Sequence, residues 1–463
     1  MAPLMSVREF RWQPTRLSAL TGWRCVQTGS AEAFMRVVID SRSDALAGAL
    51  FVAIRGEHHD GHAFWRDAVA RGATGVVVAA DADLASLPAD VWVFRVPDTV
   101  VALGRLATLR RRAFQGEVVA ITGSAGKAST KRFAQTWLGR AAYASPGNFN
   151  NRIGVPLSLL EAPLDARVWL LELGMNHTGE IDTLTDICEP TVGVLLPAGR
   201  AHLGNLGSEA AVLAAKAELL QARCAPPCAI LADSRYREFA PPGIQLISVG
   251  TAPDADYRLE QVRQVLPAGM LVSLYERRRF RLSTGLIGVH FGLSVAVAWA
   301  IGREVGVLAD ADAALAHRIC PAQGRLSLHA YRGGWVLDDS YNASPESFTA
   351  FLDTVARYAV RRPVRLLVGD LAELGAAAEP IHDDLANRIA RQAPTWLGVL
   401  GPRFAGAVRR AGIAAKTYDD GRQALDGALA HWRAGTVLAV KGAHRSGLYS
   451  ALTERREARC SFC

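Results

Sequence analysis

Short apolar, β-prone runs recur along the chain, and most of them end in glycine or a charged residue. The run 37–39 leads into Asp40, Ser41 and Arg42, and the run 49–54 leads into Arg55 and Gly56. The glycine-punctuated stretch 55–62 reads either as a binding loop or as a plain polar turn. With a further strand at 75–78 and helical spacing over 63–71 and 100–112, residues 1–112 predict a small α/β domain. Residues 113–315 alternate strand and helix, the pattern of a parallel sheet covered on both faces. Strands fall at 117–122, 168–175 and 191–196, with helices at 131–138 and 210–220. Residues 316–463 repeat the alternation, with strands at 335–339, 365–370, 397–400 and 436–441. They predict a doubly wound, Rossmann-like third domain. The fold class is therefore α/β throughout, with no internal repeat or low-complexity segment.

The long apolar stretch 285–302 is interrupted by His290 and is rich in Ala and Gly. It is short for a bilayer span and predicts a buried core helix. The first residues do not read as a signal peptide, so a cytoplasmic protein is expected.

Composition adds bounds. A chain of 463 residues, 50% hydrophobic and 21% charged, fits an ordinary globular protein of two to four domains. The net charge of +8 would suit an anionic ligand. Its arginines are dispersed, with short runs at 110–112, 277–279 and 361–362, and these read as solvated faces rather than a nucleic-acid surface. The seven cysteines include the pairs Cys224/Cys228 and Cys460/Cys463. Neither pair has a histidine at finger spacing, so reduced, non-liganding thiols are expected.

The stretch 117–130 carries the candidate chemistry. A buried strand leads into Gly123, Ser124, Ala125, Gly126 and Lys127, and a helix follows. The glycines let backbone N–H groups approach an anion, the helix N-terminus adds partial positive charge, and Lys127 would reach the outer phosphates of a nucleotide. Two residues separate the glycines where the general phosphate-loop pattern has four, and Ala128 stands where that pattern has a magnesium-binding hydroxyl. Ser129 is one step on, about 100° around the helix. The stretch by itself reads as a phosphate loop or as a simple glycine turn. Glu172, near the end of its apolar run, reads as a metal ligand or as the partner of a nearby cation. Lys216, taken alone, reads as a solvated helix charge.

The phosphate-loop stretch together with 146–156 (PGNFNNRIGVP) resembles the Mur ligase family. So do the pieces at 40–42 (DSR), 51–56 (FVAIRG), 172–177 (ELGMNH), 338–345 (DDSYNASP) and 369–375 (GDLAELG), which run in the family's order and are most like its F-type branch. The resemblance implies three domains: 1–112 for the UDP part of a substrate, 113–315 for ATP, and 316–463 closing over the nucleotide. It implies an ATP- and Mg²⁺-dependent peptide ligase of peptidoglycan biosynthesis. ATP phosphorylates the carboxylate of a UDP-N-acetylmuramoyl-tripeptide, and the amine of D-alanyl-D-alanine displaces phosphate. Small-molecule partners, a monomer, no nucleic acid and no membrane span go with it.

The resemblance also implies roles. Lys127, Glu172, His202 and Lys216 match catalytic positions. Glu172, His202 and Lys216, the last as a carbamate, match metal ligands. Gly123, Ser124, Gly126, Lys127, Ser129, His290, Arg325, Asp339, Tyr341 and Asn342 match nucleotide contacts. Ser41 and Arg42 match the uridine side, and Asn148 and Asn151 the substrate motif.

Departures from the family pattern cluster at ATP and its metal. They are Ala128, Pro197 for an asparagine, no acid at Arg200 or Gly204, and Phe291 and Ser294 for asparagines. Arg200 would neutralise phosphate charge directly. The alternative reading is a divergent ligase of a specialised pathway, or a binding protein with impaired ATP turnover.

Overall fold

The computed structural model describes residues 10–56, 59–85, 87–199, 206–266, 268–372 and 374–460. Among the described residues the strands form three sheets.

The first sheet has five strands in the order Arg24–Gln27, Trp92–Val96, Gly75–Ala79, Leu50–Val52, Val37–Val38. Only the first pair is antiparallel. The strand that the run 37–39 and its polar end at 40–42 predict is confined to Val37–Val38, because Asp40 starts a turn and its Oδ1 accepts the Arg42 N–H at 2.9 Å. The helix Thr99–Ala113 leaves this sheet, started by Asp98, whose carboxylate accepts the Val100 and Val101 N–H groups. Its last turn carries Arg110, Arg111 and Arg112; the first two are half-buried against the central domain, and Arg112 is exposed. Arg110 donates to Ala162 O at 2.7 Å, Arg111 to Cys188 O and Glu189 O, and Arg112 pairs with Glu189. Two of the three arginines expected in solvent, Arg110 and Arg111, instead clamp carbonyls at two helix ends, while Arg112 remains a solvated charge.

The central sheet has nine strands in the order Arg279–Thr284, Met270–Tyr275, Tyr257–Gln264, Gln245–Gly250, Cys228–Leu231, Val192–Leu195, Glu117–Thr122, Val168–Glu172, Ala142–Ala144. From Ala142–Ala144 to Tyr257–Gln264 every pairing is parallel. The two hairpins that follow are antiparallel, so the central domain is wider than the parallel sheet predicted. Their strands alternate buried and open residues, as a sheet with one wet face does. The tip at 276–278 places Arg278 and Arg279 on Asp310 and Glu260, as expected of a solvated arginine run. The core helix predicted over 285–302 is confined to Phe291–Glu304, buried from Ser294 to Gly302, because the chain turns at Gly288, which has φ +101°.

The third sheet has six strands in the order Ser327–Tyr331, Gly334–Asp339, Val437–Lys441, Val364–Gly369, Trp396–Leu400, Lys416–Tyr418. The four central strands match those predicted, and the two edge strands are additional. All pairings are parallel except the first. Central and third sheets bring their carboxyl ends to a common cleft, the place where ligands gather in such sheets.

Candidate active site

Strand Glu117–Thr122 delivers the chain into the turn at 123–126. Gly123 has φ +151°, and a Cβ added there would lie 2.5 Å from Leu196 Cβ, so only glycine fits. Gly126, at φ +86°, opens the helix Lys127–Leu138. Ser124 is tied to the neighbouring strand end: its N–H donates to Pro197 O, and its Oγ accepts the Gly199 N–H at 2.8 Å. Lys127 Nζ donates to Gly123 O at 2.6 Å, across the mouth of the turn. Burial pulls the pKa of this ammonium down, and the Glu172 carboxylate opposes that pull. The turn, the helix start and the lysine form an anion cradle.

Glu172 ends the adjacent strand, beside Ile121 in register. Its Oε1 accepts the Asn150 Nδ2–H at 2.9 Å. Its Oε2 is buried and accepts no hydrogen bond, with the Lys131 ammonium 3.7 Å away. Both possibilities read from the sequence are present here: a nearby cation, and an oxygen free to accept a metal. Asn150 and Lys131 were not among the candidates read from the sequence.

The third domain supplies the opposite wall. Asp339 and Lys441 end neighbouring strands in register, and Lys441 Nζ donates to Asp339 Oδ2 at 2.6 Å and to Asn342 O at 2.9 Å. Lys441 is buried and was also missed. Its signal was a lysine closing the apolar run 436–441, in the position that Asp339 occupies on the next strand. Arg325 lies over the Tyr341 ring at 4.6 Å, and Tyr341 meets Tyr449 edge-on.

Two adjoining cavities result. One, of about 410 Å³, is lined by Ser124, Gly126, Lys127, Ser129, Glu172, His290, Arg325, Asp339 and Asn342 among others. Nine of the sequence-predicted residues thus share one cavity. Glu346, Ser344 and Ser347, the start of helix Pro345–Ala359, face the same space. The second, of about 470 Å³, lies on the far side of the phosphate helix between Lys131, Arg132, Gln135, Gln323, Tyr341 and Tyr449. Ala128, Ser129, Phe291 and Arg325 border both. His290 lines the cavity from a solvent-exposed position immediately before helix Phe291–Glu304. Ser294 faces the phosphate turn: a Cβ on Gly126 would lie 3.2 Å from its Oγ.

Other candidates fall elsewhere. Lys216 is buried on helix Glu209–Gln221 rather than solvated, and burial plus the Lys127 charge lowers its pKa to about 6. A neutral amine of that kind is what carbamylation requires. Asn151 Oδ1 accepts the Ile153 and Gly154 N–H groups and so starts helix Gly154–Glu161. Asn148 is exposed on the same loop. Ser41 and Arg42 stand on the first domain, away from both cavities, with Arg42 paired to Asp40. His202 and Arg200 lie outside the described residues.

The Mur ligase middle domain matches residues 121–302, the Mur ligase glutamate ligase domain 324–444, and the Mur ligase family catalytic domain 35–111. The chain is similar to a UDP-N-acetylmuramoyl-tripeptide–D-alanyl-D-alanine ligase of Haemophilus influenzae, 31% identical over 76% of this chain and 78% of that protein. It is 30% identical to the ligase of the same name from Treponema pallidum, over 85% of this chain and 86% of that one. The crystal structure of MurF from Acinetobacter baumannii superposes with a TM-score of 0.85 at 26% identity, covering 97% of this chain and 99% of that chain.

Proposed function

The chain belongs to the Mur ligase family of ATP-dependent ligases, and on that premise we propose that it joins D-alanyl-D-alanine to the free carboxylate of UDP-N-acetylmuramoyl-tripeptide. The observation that carries this reading is the shared cavity. Lys127 and the phosphate turn face Asp339, Asn342 and Arg325 of the third domain across one space, with Glu172 on its wall. When bound there, ATP supplies the phosphoryl group that activates the carboxylate, and the amine then displaces phosphate.

The residues have separable tasks. The turn N–H groups and Lys127 bind and orient the phosphates. Arg325, from the opposite wall, adds positive charge where phosphate charge accumulates. Asp339, fixed by Lys441, offers an acceptor to the nucleoside hydroxyls. Tyr341, backed by Tyr449, shields the nucleoside from water. Asn148 lies on the loop that faces the acid, and Ser41 and Arg42 take the uridine end.

Glu172, whose buried Oε2 accepts no hydrogen bond, would hold magnesium at this site, and family membership adds Lys216 as its carbamate. His202 would complete the set. Bound there, the ion would neutralise phosphate charge. Ala128 offers no oxygen, so the ligand set is smaller than a hydroxyl-bearing phosphate loop would give.

Lys127→Met tests the assignment. With ATP, the tripeptide acid and D-alanyl-D-alanine present, joined product detected by mass should fall by about 10²-fold or more. Product formation at the wild-type rate would remove the phosphate cradle from the mechanism.

A further inference from the structure

Lys127 and Lys131 are one turn apart and share a face of the helix Lys127–Leu138. Lys127 turns back to the phosphate turn. Lys131 reaches in another direction. Its Nζ donates to Ser145 O at 2.7 Å, Ser145 Oγ at 3.0 Å and Gly147 O at 3.2 Å, and stands 3.7 Å from Glu172 Oε2. Its side chain is only 7% exposed. Burying an ammonium costs several kcal/mol unless its environment replaces water. Here two carbonyls, a hydroxyl and a carboxylate do so.

The loop that Lys131 grips is held again at its far end. Asn150 Nδ2 donates to Glu172 Oε1, and Asn150 O accepts the Gly174 N–H at 2.8 Å. Ser145 Oγ also accepts the Glu172 N–H at 3.4 Å. Helix, loop and strand end therefore close into a ring: Lys131 to Ser145 and Gly147, along the loop to Asn150, across to Glu172, and back to Lys131. The exposed Asn148 sits on the span between the two anchors.

We infer that Lys131 is a positioning residue for the ligation: it fixes the 145–151 loop and Glu172 against the phosphate helix, so that the acid's carboxylate meets the phosphate held at Lys127. This rests on the reading of the cavity as an ATP and acid site. A displacement of about 1 Å in such an arrangement is enough to cost about 10²-fold in rate.

Lys131→Met in the full chain should lower kcat/KM for the tripeptide acid about 10²-fold while leaving the Kd for ADP, by titration calorimetry, within about threefold of wild type. Ser145→Ala removes one of the contacts and should move the same constant in the same direction by a smaller factor. A lower melting temperature with kcat/KM for the acid unchanged would overturn the inference, since the lysine would then be structural only. Equal weakening of ADP binding would also overturn it, by placing the lysine on the nucleotide. If wild-type protein joins no substrates, the functional reading fails, and hydrogen exchange on ligand-free protein decides this inference separately. Protection lost selectively over 146–151 in both variants supports it, and unchanged or uniformly altered exchange refutes it.

Discussion

Lys441 Nζ lies 2.6 Å from Asp339 Oδ2, and the two residues end neighbouring parallel strands in register. The pair is built by sheet topology: residues 102 apart in sequence become lateral neighbours at the cleft. Removing one partner of a buried pair leaves the other charge uncompensated. Lys441→Met should therefore lower unfolding free energy by about 3 kcal/mol in urea denaturation. Pairing it with Asp339→Asn should cost less than the sum of the single changes, because the same interaction is lost in each.

Gly123 is the tightest point of the phosphate turn. Its φ of +151° and its approach to Leu196 leave no room for a methyl group. Gly123→Ala should destabilise the fold by about 2 kcal/mol and weaken ATP binding by at least tenfold in a direct titration. Gly139 provides the control: a Cβ there meets nothing within 4 Å, although its φ is +57°. Gly139→Ala should leave ATP binding unchanged.

Ala128 borders both cavities and carries no hydroxyl. If metal binding at the phosphate loop limits turnover, Ala128→Thr should raise kcat/KM for ATP by tenfold or more, and lower the magnesium concentration needed for half-maximal rate. A single preorganised contact is worth about 10²–10³ in rate, so the expected gain is within range. Steady-state rates across a magnesium series check it.

Lys216 links the site to pH. Burial holds its pKa at about 6 in the folded chain, against 10.5 for an ordinary lysine. Across that interval the unfolded chain binds the extra proton, so stability contributed by the neutral amine rises with pH from about 6 upward and is lost below it. Melting temperature should climb between pH 6 and 9 in wild type, and Lys216→Met should flatten the climb. Equal slopes in the two proteins would contradict the assignment.

The cleft's backbone was legible in the sequence because its parts are local. A short apolar run, two glycines and a lysine define the phosphate turn, and a carboxylate closing an apolar run marks Glu172 and Asp339 as strand-end residues. Lys131 and Lys441 were not legible, because a lysine is expected in solvent until tertiary structure supplies its acceptors. For Lys131 those acceptors are carbonyls of Ser145 and Gly147, which no composition rule reveals. Among the asparagines, the family resemblance pointed to Asn148 and Asn151. The structure places Asn150 on Glu172 and uses Asn151 to start a helix. The hairpins of 257–284 alternate in burial, and the reading of that region as parallel layers passed over them.

The most direct measurement is ADP release with Mg²⁺-ATP, UDP-N-acetylmuramoyl-tripeptide and D-alanyl-D-alanine, each omitted in turn. The account predicts sustained release only when all three are present, with a product whose mass is the sum of acid and amine less water. Release that ignores the acid or the amine, or no joined product at saturating substrates, would contradict it.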